Sequence, residues 1–218
     1  MSKQNPSPDA QQSDSLQDIH DIRQIMERSS RFISLSGLSG IAAGVCALVA
    51  SWFAYDWLTE YYNRYGEFGY KGEDFQKLKW NLLVMAAAVL VTAISFAYYF
   101  TWRKARHDRQ PLWNLASRRL LWNMIVPLVA GGLFILAMLQ YDIWAFVSPA
   151  CLIFYGLALV NASKYTVSDI RYLGYFEIVL GLMNMQFTGY GLYFWAFGFG
   201  VLHIVYGATM WWKYEKDN

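Results

Sequence analysis

The sequence predicts an all-α polytopic membrane protein, a bundle of six transmembrane helices with both termini cytoplasmic. Three observations lead to this class: an apolar composition, six long apolar runs, and an uneven distribution of basic residues along the chain. Of the 218 residues, 56% are hydrophobic and 16% are charged, whereas soluble domains carry about 25% charged residues. The low charged fraction therefore favours a membrane protein.

Six apolar runs define the predicted spans. A helix needs about 20 mainly apolar residues to cross roughly 30 Å of hydrocarbon, and a span must be helical because lipid cannot hydrogen-bond an exposed backbone. The predicted spans are residues 34–55, 80–102, 120–140, 143–161, 170–187 and 192–212. They form a transmembrane domain over residues 34–212, and its partner along its sides is the lipid bilayer.

Basic residues predict the orientation of these spans. Fourteen of the 18 Lys and Arg residues fall in the segments on one side of the spans. Because basic segments stay in the cytoplasm, the N-terminus and the tail at residues 213–218 should both be cytoplasmic. The basic loop at residues 103–119 carries no recognisable nucleic-acid-binding motif, so no nucleic-acid partner is expected.

The segments before the first span differ in character. Residues 1–14 are polar and predict a disordered cytoplasmic tail. Residues 15–33 place apolar side chains at helical intervals and predict a cytoplasmic amphipathic helix. This helix either lies on the membrane surface or under the bundle, or it docks a cytosolic or membrane protein partner or a second copy of the chain.

The fifth span contains an acidic residue in apolar surroundings. Gly174, Glu177, Gly181 and Asn184 follow one another at intervals of three, four and three residues, which places them on one stripe of a helix. A carboxylate facing lipid would be costly, so this stripe should face protein or a water-filled cavity.

The sixth span offers a partner for this acid. In an antiparallel hairpin that turns around Tyr190, Glu177 lies level with His203, and both are 13 residues from the turn, about 20 Å along the helix axis. The sequence therefore predicts a buried pair of Glu177 and His203, with Asn184 on the same stripe.

Two interpretations of the pair remain open. It either locks the last hairpin, since interhelical hydrogen bonds contribute roughly 0.6–2 kcal/mol, or it forms a site for a proton, a cation or a ligand. Motifs for a zinc hydrolase, a nucleophilic serine or a phosphate-binding loop are absent from the sequence. We expect no catalytic residue, no metal site and no cofactor.

Small residues and prolines predict further packing features. Ser36, Gly40 and Gly44 repeat every four residues, a spacing that lets helices approach closely. They pack either inside the monomer or as the seam of a homo-oligomer, and Gly174 and Gly181 are further packing positions. Pro127 and Pro149 predict kinks in the third and fourth spans.

The segment MERSSRFISLSGLSG, residues 26–40, resembles the start of a group of uncharacterised six-span bacterial membrane proteins. This resemblance implies a location in the bacterial inner membrane and no particular activity. The absence of catalytic motifs and the scarcity of buried ligands lead to a non-enzymatic scaffold or signalling component, which engages partners through its cytoplasmic arm or the aromatic outer loop at residues 55–80. The alternative is a transporter for a small solute or ion, with or without proton coupling, that uses Glu177 and His203.

Overall fold

The computed structural model describes residues 36–66, 72–107 and 112–216, and over these ranges the fold is all-α. The described residues form six main helices. They are α1 (Gly37–Tyr65), α2 (Glu73–His107), α3 (Leu115–Gln140), α4 (Val147–Ala162), α5 (Ile170–Gln186) and α6 (Thr188–Tyr214). A 3₁₀ turn at Trp144–Phe146 precedes α4, and α6 contains a π-helical segment at Ala196–Leu202.

Five of these helices are long and apolar enough to cross a membrane: α1, α2, α3, α4 with its preceding 3₁₀ turn, and α6. The fold is therefore that of a multi-pass membrane protein. The remaining helix, α5, has 17 residues and is about 25 Å long. It is shorter than the others, and its crossing as a sixth span stays a prediction.

Several helices extend beyond the predicted spans. The helix α1 continues past residue 55 to Tyr65, and α2 begins at Glu73 instead of residue 80. The apolar run stops at the charged and aromatic residues of this region, whereas backbone hydrogen bonding continues through them. Most of the predicted outer loop at residues 55–80 is thus helical, and α1 ends at Gly66, whose φ of 66° favours glycine. The predicted segments at residues 1–14 and 15–33 lie outside the described residues.

Two seams of glycine hold the bundle together. In the first, α1 packs on α6, where a Cβ on Gly37 would lie 2.4 Å from the carbonyl oxygen of Gly207 and one on Gly44 would lie 2.7 Å from that of Gly200. In the second, α4 packs on α5. Backbones approach this closely only where a side chain is absent.

The second seam contains the small residues predicted on α5. A Cβ on Gly174 would lie 2.7 Å from the carbonyl oxygen of Gly156 of α4, and one on Gly181 would lie 3.0 Å from that of Pro149. In the first seam, Gly40 and Gly44 face α6 of the same chain, so α6 covers the stripe that could have formed a homo-oligomer seam. Ser36 is buried beside this seam, just before α1.

The two prolines occupy different helical positions. Pro127 lies inside α3, which is helical throughout Leu115–Gln140. Pro149 is the third residue of α4, where a missing N–H removes no intrahelical hydrogen bond. Pro149 therefore leaves the hydrogen bonding of α4 intact, and the kinks at Pro127 and Pro149 stay predictions.

The helix ends form two polar layers. At one end, which we call the basic end, Glu215 accepts hydrogen bonds from the Gly37 N–H (2.7 Å) and the Lys104 ammonium (3.1 Å), and Lys213 pairs with Asp169 (2.7 Å). At the opposite end, Lys79 of α2 pairs with Asp142 of the α3–α4 connection. Both ends of the described chain, Ser36 and residue 216, therefore lie at the basic end.

Candidate functional site

Glu177 lies in the core where α5 meets α4 and α6, and its side chain has no solvent exposure. Its stripe on α5 is buried along its length, because Gly174, Gly181 and Asn184 are buried as well. Neither carboxyl oxygen of Glu177 has a hydrogen-bond partner among the described residues. An unpaired buried carboxyl is energetically costly, so its retention here needs a physical reason.

His203 of α6 is the nearest titratable partner that the structure places beside this acid. Its Nδ1 lies 3.5 Å from Oε1 of Glu177, and its side chain is 8% exposed. The structure thus brings together the two residues that depth matching paired in the sequence. The separation of 3.5 Å is longer than a normal hydrogen bond.

The hydrogen bonds of His203 point elsewhere. Its Nδ1 lies 2.9 Å from the carbonyl oxygen of Gly198, and its Nε2 lies 2.7 Å from the hydroxyl of Tyr155 on α4. Because a carbonyl only accepts, Nδ1 carries a hydrogen and donates it to Gly198. In the neutral ring, Nε2 then accepts from Tyr155, so the imidazole joins α4 to α6.

The π-helical segment of α6 shapes this site. It ends at Leu202, directly before His203, and contains Gly198. A Cβ on Gly198 would lie 2.6 Å from Oε2 of Glu177 and 2.6 Å from Cδ2 of Leu152. Glycine therefore makes the space for the acid, and a π-bulge inside a helix is often found at a functional site.

Asn184, the third predicted site residue, is not brought to the pair. It lies two helical turns from Glu177 on α5, roughly 10 Å along the axis, and its Nδ2 donates to the carbonyl oxygen of Phe187 at 3.2 Å. Its Oδ1 faces Gly191 at the start of α6 and has no hydrogen-bond partner among the described residues. Gly181 lies between the two polar residues on α5 and is buried.

Tyr206 adds a further unpartnered polar group. Its hydroxyl is buried and lies on α6 one turn from His203, toward the basic end. Tyr155 and Tyr206 both pack against the apolar cluster of Leu159, Ile170 and Leu173. In the described ranges, the buried side-chain oxygens without a partner belong to three residues only: Glu177, Asn184 and Tyr206. All three lie on α5 and α6.

Two apolar grooves of the bundle lie away from this site. One apolar groove of about 410 Å³ runs between α1 and α6 past Leu48, Trp52 and Tyr193, and another of about 610 Å³ lies on α6 along Val205 and Trp212. Neither groove touches Glu177 or His203. The side chain of Glu177 is fully buried, and that of His203 is nearly so.

The site contains no metal-binding arrangement. Across residues 36–66, 72–107 and 112–216, no group of three His, Cys, Asp or Glu side chains lies together in a way that could hold a metal ion. Comparison with known proteins identified no matching family model, no matching curated protein and no matching solved structure.

Sequence reasoning missed Tyr155 and Gly198, and it placed Tyr206 on the stripe of His203 without assigning it to the site. Tyr155 lies in an apolar helix, and its contact with His203 depends on which face of α4 meets α6, which the sequence does not show. Tyr206 had a detectable signal, since it lies three residues after His203 on the same helical stripe.

Proposed function

We propose that the protein is a non-enzymatic scaffold or signalling component of a bacterial inner membrane, with six spans and both termini in the cytoplasm. The observation that supports this most directly is the packing of α2. No residue in its most apolar 18-residue stretch is buried, and its main packing partner in the described chain is α1. A long apolar helix held on one side presents a lateral surface that can receive the helix of another membrane protein.

The closed core also supports a scaffold. Glu177 is fully buried, and the glycine seams bring the α1–α6 and α4–α5 backbones into contact. A bundle with a buried centre and closely packed helices suits a protein that acts through its sides and its cytoplasmic segments. The resemblance of residues 26–40 to six-span bacterial membrane proteins supports the location.

Site-specific photo-crosslinking tests the lateral surface. A photoreactive residue at Val91 of α2 should form an adduct with a membrane protein partner in native membranes. Val205 of α6 is the matched control, because both valines are exposed, at 64% and 56%, and both lie in apolar helices. Adducts of equal yield at both positions, or at neither, would contradict the proposal.

The cytoplasmic segment at residues 15–33 is the second proposed contact. It joins α1 beside Ser36, where Glu215 and Lys104 also meet. Deletion of residues 1–25 should release a copurifying partner from the full-length protein. An unchanged set of copurifying proteins would remove this segment from the proposal.

A transporter is the second candidate, and the unpartnered oxygens of Glu177 and Asn184 favour it. In liposomes that contain a pH-sensitive dye, a transporter that uses protons would produce a flux that Glu177→Gln abolishes. Flux that persists undiminished in Glu177→Gln would exclude this site from transport, and absence of flux in the wild type would exclude proton transport as the function.

A further inference from the structure

We propose that Glu177, His203 and Tyr155 form a proton-binding site inside the bundle, and that this site exchanges protons with the basic end through the side of the core that contains Tyr206. This inference goes beyond the scaffold proposal, because it concerns the core and not the lateral surface. It rests on the geometry of the three side chains and on the unequal polarity of the core on either side of them.

The first step is the unsatisfied carboxyl. Glu177 is fully buried, and both of its oxygens lack a hydrogen-bond partner in the part of the chain that the structure describes. A structural acid would be expected to accept hydrogen bonds, since buried polar groups in folded proteins are nearly always paired. A carboxyl that takes up and releases a proton needs a free oxygen beside a proton donor, and Oε1 has this position, 3.5 Å from Nδ1 of His203.

The second step is the pair of bonds on the imidazole. Tyr155 is bonded to Nε2 at 2.7 Å, and Nδ1 faces both the Gly198 carbonyl and Glu177. The step starts from a Glu177 carboxylate and a neutral His203 with its hydrogen on Nδ1. The Tyr155 hydroxyl passes its proton to Nε2 and takes up another proton from the basic end, which gives an imidazolium. Transfer of the Nδ1 proton to Oε1 then breaks the bond from Nδ1 to Gly198 and leaves a neutral imidazole, with its hydrogen on Nε2, and a neutral carboxylic acid. One proton is taken up overall, and no unpaired charge remains in the low-dielectric core.

The third step is the direction of exchange. Toward the basic end, the hydroxyl of Tyr206 follows one turn after His203, and Tyr214 further along α6 donates to Asp169 at 3.2 Å. Toward the opposite end, the buried Gly181 lies between Glu177 and Asn184 on α5, and these two polar residues are roughly 10 Å apart along the axis. Polar groups therefore continue on one side of the site and are interrupted on the other.

The titratable groups around the acid are few. From α4, Tyr155 faces the site and Cys151 lies one turn away; from α6, His203 faces it and Tyr206 lies one turn away. On α5 itself, Tyr172 and Tyr175 are exposed. A protonation change in the core can thus be assigned with a small set of substitutions.

Infrared spectroscopy of the full-length protein in lipid tests the site. Difference spectra between acid and alkaline pH should contain the C=O band of a protonated carboxylic acid, shifted in D₂O, and Glu177→Gln should remove it. An unchanged band in Glu177→Gln would overturn the proposal. If Glu177→Gln does not assemble, Tyr155→Phe is the deciding variant, because it removes the hydroxyl that is hydrogen-bonded to Nε2 of His203. The pH midpoint of the carboxylic-acid band should then shift, and an unshifted midpoint would overturn the proposal.

The rate at which the carboxylic-acid band shifts after transfer into D₂O tests the exchange route through Tyr206. Tyr206→Phe should slow the exchange severalfold, whereas Tyr172→Phe, an exposed tyrosine on α5, should leave the rate unchanged. Equal rates in both variants would overturn the route through Tyr206. Failure of the lateral crosslink at Val91 would leave these infrared results untouched, so the two proposals fail independently.

Discussion

At the scale of single residues, Gly198 is the position where the smallest change should have a large effect. A methyl group there would lie 2.6 Å from both Oε2 of Glu177 and Cδ2 of Leu152. Overfilling a packed core typically costs about 1–3 kcal/mol, and in this case the added group also presses on a buried carboxyl. Gly198→Ala should therefore lower the free energy of unfolding by about this amount, measured by thermal or denaturant unfolding in detergent.

Gly132→Ala is the matched control for Gly198→Ala. Both glycines lie inside membrane helices, but a Cβ on Gly132 would meet no atom within 4 Å. Alanine is favoured over glycine in a helix interior by about 0.5–1 kcal/mol, so this variant should be as stable as the wild type or slightly more stable. Equal destabilisation by the two substitutions would contradict the close approach of α6 to Glu177.

Asp142 permits a pH prediction outside the membrane-spanning helices. The Lys79 ammonium and the indole N–H of Trp144, at 3.3 Å, both donate to its carboxylate. These bonds hold the pKa of Asp142 below its ordinary value, with the bond from Lys79 the larger cause. Lys79→Gln should raise this pKa toward the ordinary value, as measured by carboxyl carbon NMR, and an unchanged pKa would contradict the pairing.

The sign of the associated pH effect follows from linkage. A carboxyl with a depressed pKa in the folded state stabilises the fold at pH values above its unfolded pKa. This contribution is lost as the pH falls through the folded pKa. Acid should therefore loosen the connection between α2 and the α3–α4 turn, and Lys79→Gln should weaken that pH dependence, since only the hydrogen bond from Trp144 remains.

The sequence could predict the residue pair at the site but not its hydrogen bonds. The depth of Glu177 and His203 followed from their equal distance to a turn, and the structure places them 3.5 Å apart. The bond from Nδ1 to Gly198 depends on the π-helical segment, a local change of helical register that apolar periodicity does not reveal. The position of Tyr155 depends on the rotation of α4, which is set by the glycine contact with α5.

At the scale of whole elements, the start of α1 depends on a residue at the far end of the chain. Glu215 accepts from the N–H of Gly37 at 2.7 Å and from the hydroxyl of Ser36 at 3.2 Å, and it pairs with Lys104 of α2. The first N–H groups of a helix have no partner within that helix, and a negative charge there is favourable. Glu215 thus joins α1, α2 and α6.

Glu215→Ala should increase the frequency with which the first turn of α1 unfolds. Loss of a largely buried, charged hydrogen-bond acceptor costs about 1–3 kcal/mol. Hydrogen exchange of the amides near residues 37–41 should then accelerate, by roughly five- to thirtyfold for a loss of about 1–2 kcal/mol. Lys216→Ala is the control, because this neighbouring side chain is exposed. Equal exchange rates in the two variants would show that Glu215 does not cap α1.

Sequence patterns located the helices but not their full length or their partners. Hydropathy predicted the apolar centre of each helix, yet α2 extends from Glu73 to His107 because helical hydrogen bonding does not stop where apolar residues stop. The cap on α1 was not predicted, since Ser36 and Glu215 are 179 residues apart. The small-residue stripe of α1 was recognised, but its match to Gly200 and Gly207 required the structure.

At the scale of the whole molecule, the bundle combines a tightly packed centre with loosely held flanks. The glycine seams hold α1 to α6 and α4 to α5, and the pair of Glu177 and His203 lies between the two seams. The helices α2 and α3 pack outside this centre, against α1 and α4 respectively. The site therefore lies in the closely packed centre of the bundle, while the proposed partner surface lies on its periphery.

The orientation of the molecule in the membrane is testable with a matched pair of positions. Trp113 precedes α3 at the basic end and Tyr141 follows it at the opposite end, and their side chains are 71% and 77% exposed. Because basic residues are retained in the cytoplasm, the basic end should face inward. With Cys46 and Cys151 replaced by alanine, Tyr141→Cys should react with a membrane-impermeant maleimide in intact cells.

Trp113→Cys should react with the same reagent only after the membrane is opened. The two positions flank one helix and have similar exposure, so a difference between them reports on the side of the membrane and not on local accessibility. Labelling of Trp113→Cys and protection of Tyr141→Cys in intact cells would reverse the orientation. In that case residues 15–33 would be external, and the proposed cytosolic partner would be excluded.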